Sequence, residues 1–253
     1  MNRYVKNWIL KIISAQKREN FATSLLNSIG YGETSIKKEV ELFLDSIGNV
    51  KENPFVVLDI GANIGTYSLE LLNRNTNVLV HSFEPSKYAG DKFKANLDKY
   101  IKTKRCYFYG FGIGDKNSNK FLYASDHGSE AASLLKRQGN DRTKDKVKIR
   151  NLNEVILRIE LPIVGMKIDT EGYEFTILLS AKKLLKNKDF KVVQFEFGEY
   201  SLENRESFKQ YYVFLSNLGF KLFRISKFGL IELNRYEKKF EIHWNTNYLA
   251  VKQ

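Results

Sequence analysis

The chain has 253 residues, 43% hydrophobic and 28% charged, which is enough apolar material for one sizeable core and excludes a wholly disordered chain. Its 41 lysines and arginines exceed its 29 aspartates and glutamates, so the formal net charge is +12, which favours anionic partners without bearing on the fold. The single cysteine, Cys106, excludes an internal disulfide and a cysteine-based zinc site.

The first twenty residues form a basic amphipathic pattern. Apolar residues recur there at helical spacing, namely Val5, Trp8, Ile9, Ile12 and Ile13. Such a helix either packs on its own domain or on a second subunit of a homodimer, or it makes weak contact with an anionic membrane surface through residues 1–20. No run approaches the roughly 18 apolar residues of a membrane span, and no signal-peptide pattern is present. We therefore expect a cytoplasmic protein.

A second helix is predicted over 35–47, where the apolar residues share one face and Gly48 provides a stop. These two helices predict a helical N-terminal extension over residues 1–50. The remaining residues, 51–253, form one domain in this interpretation, with an inserted hairpin or loop at about 116–150.

After Pro54, short apolar strands alternate with helical patterns. The strands are predicted at 55–60, 78–83, 107–111, 163–168, 192–197, 220–225 and 248–251. Strands that read as continuous apolar runs are typical of a parallel sheet covered by helices on both faces. The alternation therefore predicts an α/β fold with right-handed crossovers.

Seven basic residues and two acids fall between Lys136 and Arg150. This stretch is either a solvated surface loop or a cationic wall beside an anionic ligand. On the second interpretation, neutralising Lys144, Lys146 and Lys148 raises the KM for that ligand.

Acidic residues follow the predicted strands, at Asp59, Glu84, Asp115, Asp169 with Glu171, and Glu196. A single acid in such a place is often a helix cap, but ligands bind beyond the carboxyl ends of parallel strands, where all of these residues meet.

The loop after the first strand carries Gly61 and Gly65 in a G-x-x-x-G spacing, which matches neither the dinucleotide fingerprint nor the phosphate-binding loop. Asp59, directly before these glycines, suits a ligand with an ammonium group. Glu84, at the end of the second strand, is placed to accept hydrogen bonds from vicinal ribose hydroxyls.

Three segments carry a family resemblance: Val-Leu-Asp-Ile-Gly-Ala-Asn-Ile-Gly at 57–65, Phe-Glu-Pro-Ser at 83–86 and Lys-Ile-Asp-Thr-Glu-Gly-Tyr-Glu at 167–174. Together they resemble the FkbM-type S-adenosylmethionine-dependent methyltransferases. The resemblance implies a Rossmann-like class I methyltransferase fold, with a mostly parallel seven-stranded sheet and helices on both faces. It also implies O-methylation of a small molecule or glycan.

Carried over from the family, Asp59, Gly61, Asn63 and Gly65 line the methionine end of the cofactor, Glu84 holds the ribose and Asp115 lies near the adenine. Asn151 stands where many members have threonine, a departure that concerns the acceptor side.

Methyl transfer to a hydroxyl requires a general base or a metal that lowers the hydroxyl's pKa. We predict Asp169 as base or metal ligand, assisted by Glu171 and Glu196, since clustered carboxylates suit Mg²⁺. The predicted Mg²⁺ ligands are Asp169 and Glu196. His127, in the polar insertion, is a second candidate base, whereas Glu174 is interpreted as a helix cap.

The acceptor class remains open among a small molecule, a glycan and an anionic (phosphorylated or nucleotide-activated) sugar. The charge of +12 also suits a nucleic-acid methyltransferase. Asp169-Thr170-Glu171-Gly172 replaces the Asn/Asp-Pro-Pro-aromatic motif of enzymes that methylate base amines, so nucleic acid is not favoured. A non-catalytic cofactor-binding module is the third alternative.

Overall fold

The computed structural model describes residues 15–32, 34–48, 53–124, 132–136, 142–242 and 244–253. The helices within these ranges are α1 (Ala15–Ser28), α2 (Ile36–Ile47), α3 (Thr66–Arg74), α4 (Lys87–Asn96), α5 (Asp98–Lys102), α6 (Leu152–Ile156), α7 (Glu174–Ser180), α8 (Lys182–Leu185), α9 (Glu199–Glu203) and α10 (Phe208–Ser216). The strands are β1 (Phe55–Ile60), β2 (Val78–Phe83), β3 (Cys106–Tyr109), β4 (Gly112–Gly114), β5 (Ser118–Ala124), β6 (Thr143–Asn151), β7 (Ile163–Ile168), β8 (Val192–Phe197), β9 (Phe220–Ser226), β10 (Gly229–Glu232) and β11 (Thr246–Lys252).

The main sheet has eight strands in the order β10-β9-β11-β8-β7-β1-β2-β3. β1 pairs in parallel with β2 and β7, while β11 runs antiparallel to both β8 and β9. The chain adds β2 and β3 on one side of β1, and later β7 and β8 on the other side. Open α/β sheets bind ligands at such a switch point, which here lies between β1 and β7.

Strand β1 explains why the sheet is covered on both faces. All six of its residues are buried, and they alternate between two apolar clusters. Val56 and Leu58 pack with α7 and α10 on one face, whereas Phe55 and Val57 pack with α2 and α3 on the other. The predicted α/β class with a mainly parallel sheet is confirmed.

Two details differ from the prediction. The sheet has eight strands rather than seven, because the chain turns back after β9 and β10 pairs antiparallel with it. The strand predicted at 107–111 and the residues that follow it are divided between two sheets. β3 belongs to the main sheet, and β4 belongs to a second sheet of order β4-β6-β5. The predicted insertion therefore contains the β5–β6 hairpin, which pairs over seven residue positions.

Helix α2 begins and ends where the sequence predicts. The Ser35 side chain accepts a hydrogen bond from the Lys38 amide, and Gly48 follows the helix with a φ of 68°. Phe43 lies against the sheet so closely that a side-chain carbon on Gly165 would come within 2.6 Å of its ring.

Residues 1–14, which carry most of the basic amphipathic pattern, lie outside the described residues. The predicted boundary at residue 50, between a helical N-terminal extension and the domain over 51–253, stays a prediction. In the part of the chain that the structure describes, no helix combines the length and the apolar character needed to cross a bilayer.

Candidate active site

A cavity of about 510 Å³ opens at the carboxyl ends of the central strands. Its wall is formed by the loops that follow β1, β2, β7 and β8, together with residues from α2 and the β5–β6 region. Five carboxylic acids and one lysine line it among the described residues, namely Glu39, Glu84, Asp169, Glu171, Glu196 and Lys167. The cavity is therefore acidic, although the chain as a whole carries a charge of +12.

The loop after β1 holds the cavity floor close to β7. Gly61 has a φ of 80°, and a side-chain carbon there would lie 1.7 Å from the backbone oxygen of Asp169. The Asp169 amide also donates to the Ile60 carbonyl at 2.9 Å. Glycine is thus required at 61 by both its φ and the backbone approach, and the residue lines the cavity as predicted.

Gly65, which the family resemblance placed at the methionine end of the cofactor, lies against Phe93 and Leu97. It does not appear among the cavity-lining residues, and it precedes α3 with a φ of 89°. A side-chain carbon there would meet Phe93 and Leu97 at 2.7 and 2.3 Å. The geometry gives Gly65 a packing role between α3 and α4.

Glu84 follows β2 and lines the cavity with only 8% of its surface exposed. Its two oxygens accept hydrogen bonds from the backbone amides of Asn63 at 3.0 Å and Ser86 at 2.8 Å. Burial raises the pKa of this carboxyl to about 7, against the opposing effect of those two amides. Glu84 is held in place by the same loop that carries Gly61, so the two predicted cofactor elements do meet.

Lys167, within β7, is the one basic side chain among the described residues that line the cavity. Its Nζ lies 3.0 Å from the Asp169 carboxylate and 3.8 Å from that of Asp59, and it sits over the Tyr67 ring at 5.3 Å. Burial opposes its charge, but the carboxylates of Asp169 and Asp59 outweigh that effect and raise the Lys167 pKa above its usual value.

Asp59 is placed behind the cavity wall rather than on it. Its side chain is fully buried, accepts a hydrogen bond from the Ser68 hydroxyl at 2.6 Å, and does not line the cavity. Burial raises the Asp59 pKa, while Lys167 lowers it. Its predicted contact with a ligand's ammonium group thus has no support in the geometry, because Asp59 does not line the cavity and already has Lys167 as a cationic partner at 3.8 Å.

The predicted group of catalytic acids is brought together. One carboxylate oxygen from each of Asp169, Glu171 and Glu196 lies within 4.8 Å of the others. Burial, followed by the nearby charges of Asp169 and Glu171, raises the Glu196 pKa well above its usual range. Three carboxylates form a donor set that suits Mg²⁺, but Asp169 already has Lys167 as a counter-charge.

Glu174 closes the loop between β7 and α7. Its oxygens accept hydrogen bonds from the amides of Thr170 at 2.6 Å and Gly172 at 2.9 Å. Burial raises the pKa of this carboxyl to about 7. Glu174 therefore holds together the loop that precedes α7, whereas the sequence interpreted it as a cap of that helix.

Asp115, like Asp59 and Gly65, does not line the cavity. Asp115 is exposed and its backbone oxygen accepts from the Asn151 side chain, while Gly112 and Ile113 line the cavity in its place. His127 lies outside the described residues, so its role as a base stays a prediction.

The basic side chains of β6 point away from the cavity. Lys144, Lys146 and Lys148 are exposed and alternate with Val147 and Ile149, which are buried. Leu122, opposite Asp145 in the hairpin register, lies on the face of Val147 and lines the cavity. The three lysines therefore occupy the outer face of the β5–β6 hairpin, where they do not form a wall of the cavity.

Sequence reasoning missed Glu39, on α2, which is 5% exposed and lines the cavity. A signal for it existed, since Glu39 falls at helical spacing between Ile36 and Phe43 on the apolar face of α2. A carboxylate on such a face is unusual and often has a specific partner. Two of its three hydrogen-bond partners, however, lie on β8 and β11 and follow only from the folded chain.

Comparison with known proteins agrees with this fold. The model of the Methyltransferase FkbM domain family matches residues 59–222, well over half of the chain. The chain is 26% identical to the AMB antimetabolite synthetase AmbE of Pseudomonas aeruginosa, a match that covers 55% of this chain and 8% of AmbE. Since the chain spans less than a tenth of AmbE, the activity of that whole protein is not carried over.

Among solved structures, the METTL16 methyltransferase domain has a TM-score of 0.50 at 12% identity, covering 87% of this chain and 83% of that one. The precorrin-6y C5,15-methyltransferase of Geobacter metallireducens has a TM-score of 0.48 at 12% identity, covering 85% and 87%. The O-methyltransferase of Bacillus cereus, solved in complex with S-adenosylhomocysteine, has a TM-score of 0.47 at 10% identity, covering 98% and 97%. The first likeness supports the fold alone, and the family match carries the assignment: the chain belongs to the FkbM family of S-adenosylmethionine-dependent methyltransferases.

Proposed function

We propose that this methyltransferase transfers a methyl group to a hydroxyl of a small-molecule or glycan acceptor, with Asp169 as the general base. One observation carries the proposal. Asp169 lies at the end of β7 on the cavity wall, with 37% of its side chain exposed and its carboxylate 3.0 Å from a buried lysine. It is thus an accessible acid that a fixed cation holds in one orientation.

The cavity fits the cofactor in size and charge. Its volume of about 510 Å³ falls within the usual range of small-molecule sites. Its excess of carboxylates favours a ligand that carries positive charge, as S-adenosylmethionine does on its sulfonium and its ammonium. The residues that would hold it are Glu84 for the ribose hydroxyls and the loop of Gly61 and Asn63 for the amino-acid end. When bound, the cofactor supplies an electrophilic methyl group.

The protein's own residues then have three tasks: to orient the acceptor, to exclude water and to take up the proton of its hydroxyl. Asp169 takes up that proton, and the Lys167 ammonium keeps the carboxylate aligned. Glu196, whose pKa is raised by burial, suits a hydrogen-bond donor to the acceptor rather than a second base. Glu171 completes the acidic rim beside Asp169.

The acidic lining also bears on the acceptor and on Mg²⁺. An anionic acceptor would enter a cavity that five carboxylates line, so the geometry favours a neutral hydroxyl over a phosphorylated or nucleotide-activated sugar. A nucleic-acid acceptor is disfavoured for the same reason. Mg²⁺ bound by Asp169 and Glu196 is the alternative to proton uptake by Asp169, and activity that requires added Mg²⁺ would favour it.

The test is methyl transfer by the variant Asp169→Asn. We expect turnover to fall by about 10²–10⁴-fold, the usual contribution of a general base, while the affinity for S-adenosylhomocysteine changes by less than about threefold, or 0.7 kcal/mol. Asp189→Asn, at an exposed aspartate after α8, is the matched control and should retain full turnover. Tritium from labelled cofactor recovered in a metabolite or glycan fraction supports the acceptor class, and label in RNA or DNA would contradict it. Full activity of Asp169→Asn would remove the proposed base.

A further inference from the structure

Glu39 is a buried carboxylate on the cavity wall that the proposed chemistry does not use. Its oxygens accept hydrogen bonds from the Thr34 hydroxyl at 2.7 Å, the Gln194 amide at 2.8 Å and the Asn247 amide at 3.3 Å. All three donors are neutral. Among the described residues, no basic side chain lies within ion-pair distance of Glu39. Lys167 forms its ion pairs with Asp59 and Asp169, and its charge only partly offsets the burial of Glu39.

The surrounding hydrogen bonds fix Glu39 as an acceptor. The Tyr67 hydroxyl donates to the Gln194 side-chain oxygen at 2.8 Å, which leaves the amide nitrogen of Gln194 directed at Glu39. A hydrogen-bond chain of this kind holds the carboxylate rigidly and favours its ionised form, whereas burial is the larger effect and raises the Glu39 pKa above its ordinary value. A buried carboxylate without a cationic partner is costly, so a cationic ligand in the cavity gains by pairing with it.

The position of Glu39 identifies the part of the ligand that reaches it. Glu39 contacts side chains of β8 and β11, whereas Glu84 follows β2, and β7 and β1 lie between these strands in the sheet. A nucleoside with its ribose at Glu84 therefore extends its amino-acid end across β1 and β7 toward Glu39. A sulfonium has no N–H to donate, whereas an ammonium has three, so the hydrogen-bonding partner is the ammonium.

We propose that Glu39, supplied by α2, binds the α-ammonium group of the cofactor's amino-acid end. This inference rests on the proposed binding of S-adenosylmethionine in the cavity. It gives Glu39 the role that the sequence suggested for Asp59, and it makes α2 part of the cofactor site.

The experiment compares two ligands by calorimetry on the full chain: S-adenosylhomocysteine, and 5′-methylthioadenosine, which has the nucleoside and sulfur but no amino-acid end. Glu39→Gln keeps the size of the side chain and removes its charge. We expect it to weaken S-adenosylhomocysteine by about tenfold or more, as for removal of one partner of a buried charge pair, and to leave 5′-methylthioadenosine within about twofold, or 0.4 kcal/mol. Glu41→Gln, on the same helix but with 42% of its side chain exposed and paired with Lys38 at 2.5 Å, is the matched control and should change neither affinity.

Glu39→Asp, which keeps the charge, should bind S-adenosylhomocysteine more tightly than Glu39→Gln does, and it serves as the second variant if Glu39→Gln does not fold. Equal weakening of both ligands would show a structural role and overturn the inference, and so would unchanged affinity for S-adenosylhomocysteine. If the wild-type protein binds 5′-methylthioadenosine but gains nothing from the amino-acid end, the ammonium site alone is refuted. If it binds neither ligand while folded, the proposed function fails as well.

Discussion

Replacing Lys167 with methionine tests whether this residue neutralises the acids around it. The substitution keeps most of the side-chain volume and leaves the Asp59 carboxylate fully buried, with Ser68 at 2.6 Å as its remaining donor contact in the site. Removing one partner of a buried ion pair costs about 3–5 kcal/mol, because the other charge is left uncompensated. For a chain of this size each kcal/mol lowers the Tm by about 2–4 °C, so we expect a decrease of roughly 6–20 °C.

The decrease in Tm of the Lys167→Met variant should depend on pH. Burial raises the pKa of Asp59 in the folded protein above its ordinary value, and Lys167 lowers it. Without Lys167 the folded-state pKa rises further, so the variant's deficit is largest at a pH above that value and shrinks as the pH falls through it and Asp59 becomes protonated. Adding Asp59→Asn to Lys167→Met should recover most of the lost Tm at neutral pH, and scanning calorimetry across pH measures both effects. A double variant no more stable than the single one, or a pH-independent deficit, would refute charge compensation by Lys167.

Three further outcomes follow from the cavity. Gly61→Ala should lower the Tm and abolish cofactor binding, because the added carbon would lie 1.7 Å from the Asp169 oxygen at a φ of 80°; wild-type stability would contradict the observed approach. The affinity for S-adenosylhomocysteine should fall as the pH decreases through about 7, because Glu84 becomes protonated there and no longer accepts hydrogen bonds from both ribose hydroxyls. Calorimetry at several pH values measures this dependence, which should disappear in Glu84→Gln. The triple variant of Lys144, Lys146 and Lys148 to glutamine should leave the KM for the acceptor unchanged, since these side chains lie on the outer face of the hairpin, and a raised KM would restore the anionic-acceptor hypothesis.

The sequence predicted the meeting of Asp169, Glu171 and Glu196 because the carboxyl ends of neighbouring parallel strands share one edge of the sheet. Glu84 followed from the same rule. These predictions needed only the positions of the strand ends, which buried apolar runs mark clearly. They did not require the direction of any side chain.

The direction of the Asp59 side chain, in contrast, could not be predicted. It depends on which face of β1 the residue occupies, and both faces of this strand are covered by apolar clusters. A shift of one residue moves a side chain from one face to the other. The sequence left open whether Lys144, Lys146 and Lys148 face solvent or a ligand for a related reason, because the two faces can be told apart only once the stretch is recognised as a strand.

The role of Glu39 could not be predicted from the sequence, since two of its hydrogen-bond partners lie 155 and 208 positions away along the chain.

The role of Glu39 also bears on how charge is distributed in this protein. The chain has a net charge of +12, and among the described residues the only buried lysine or arginine side chains are Lys167 and Arg224, whereas carboxylates predominate at the cavity wall. On the proposed binding mode, a cationic cofactor is attracted only once it reaches the cavity, where its partners are the buried carboxylates of Glu39 on α2 and Glu84 after β2. Adding salt should therefore weaken S-adenosylhomocysteine binding far less than it would a surface interaction, because buried pairs are poorly screened. Calorimetry at low and high ionic strength measures this difference, and a steep loss of affinity with salt would mean that the ligand binds outside the cavity.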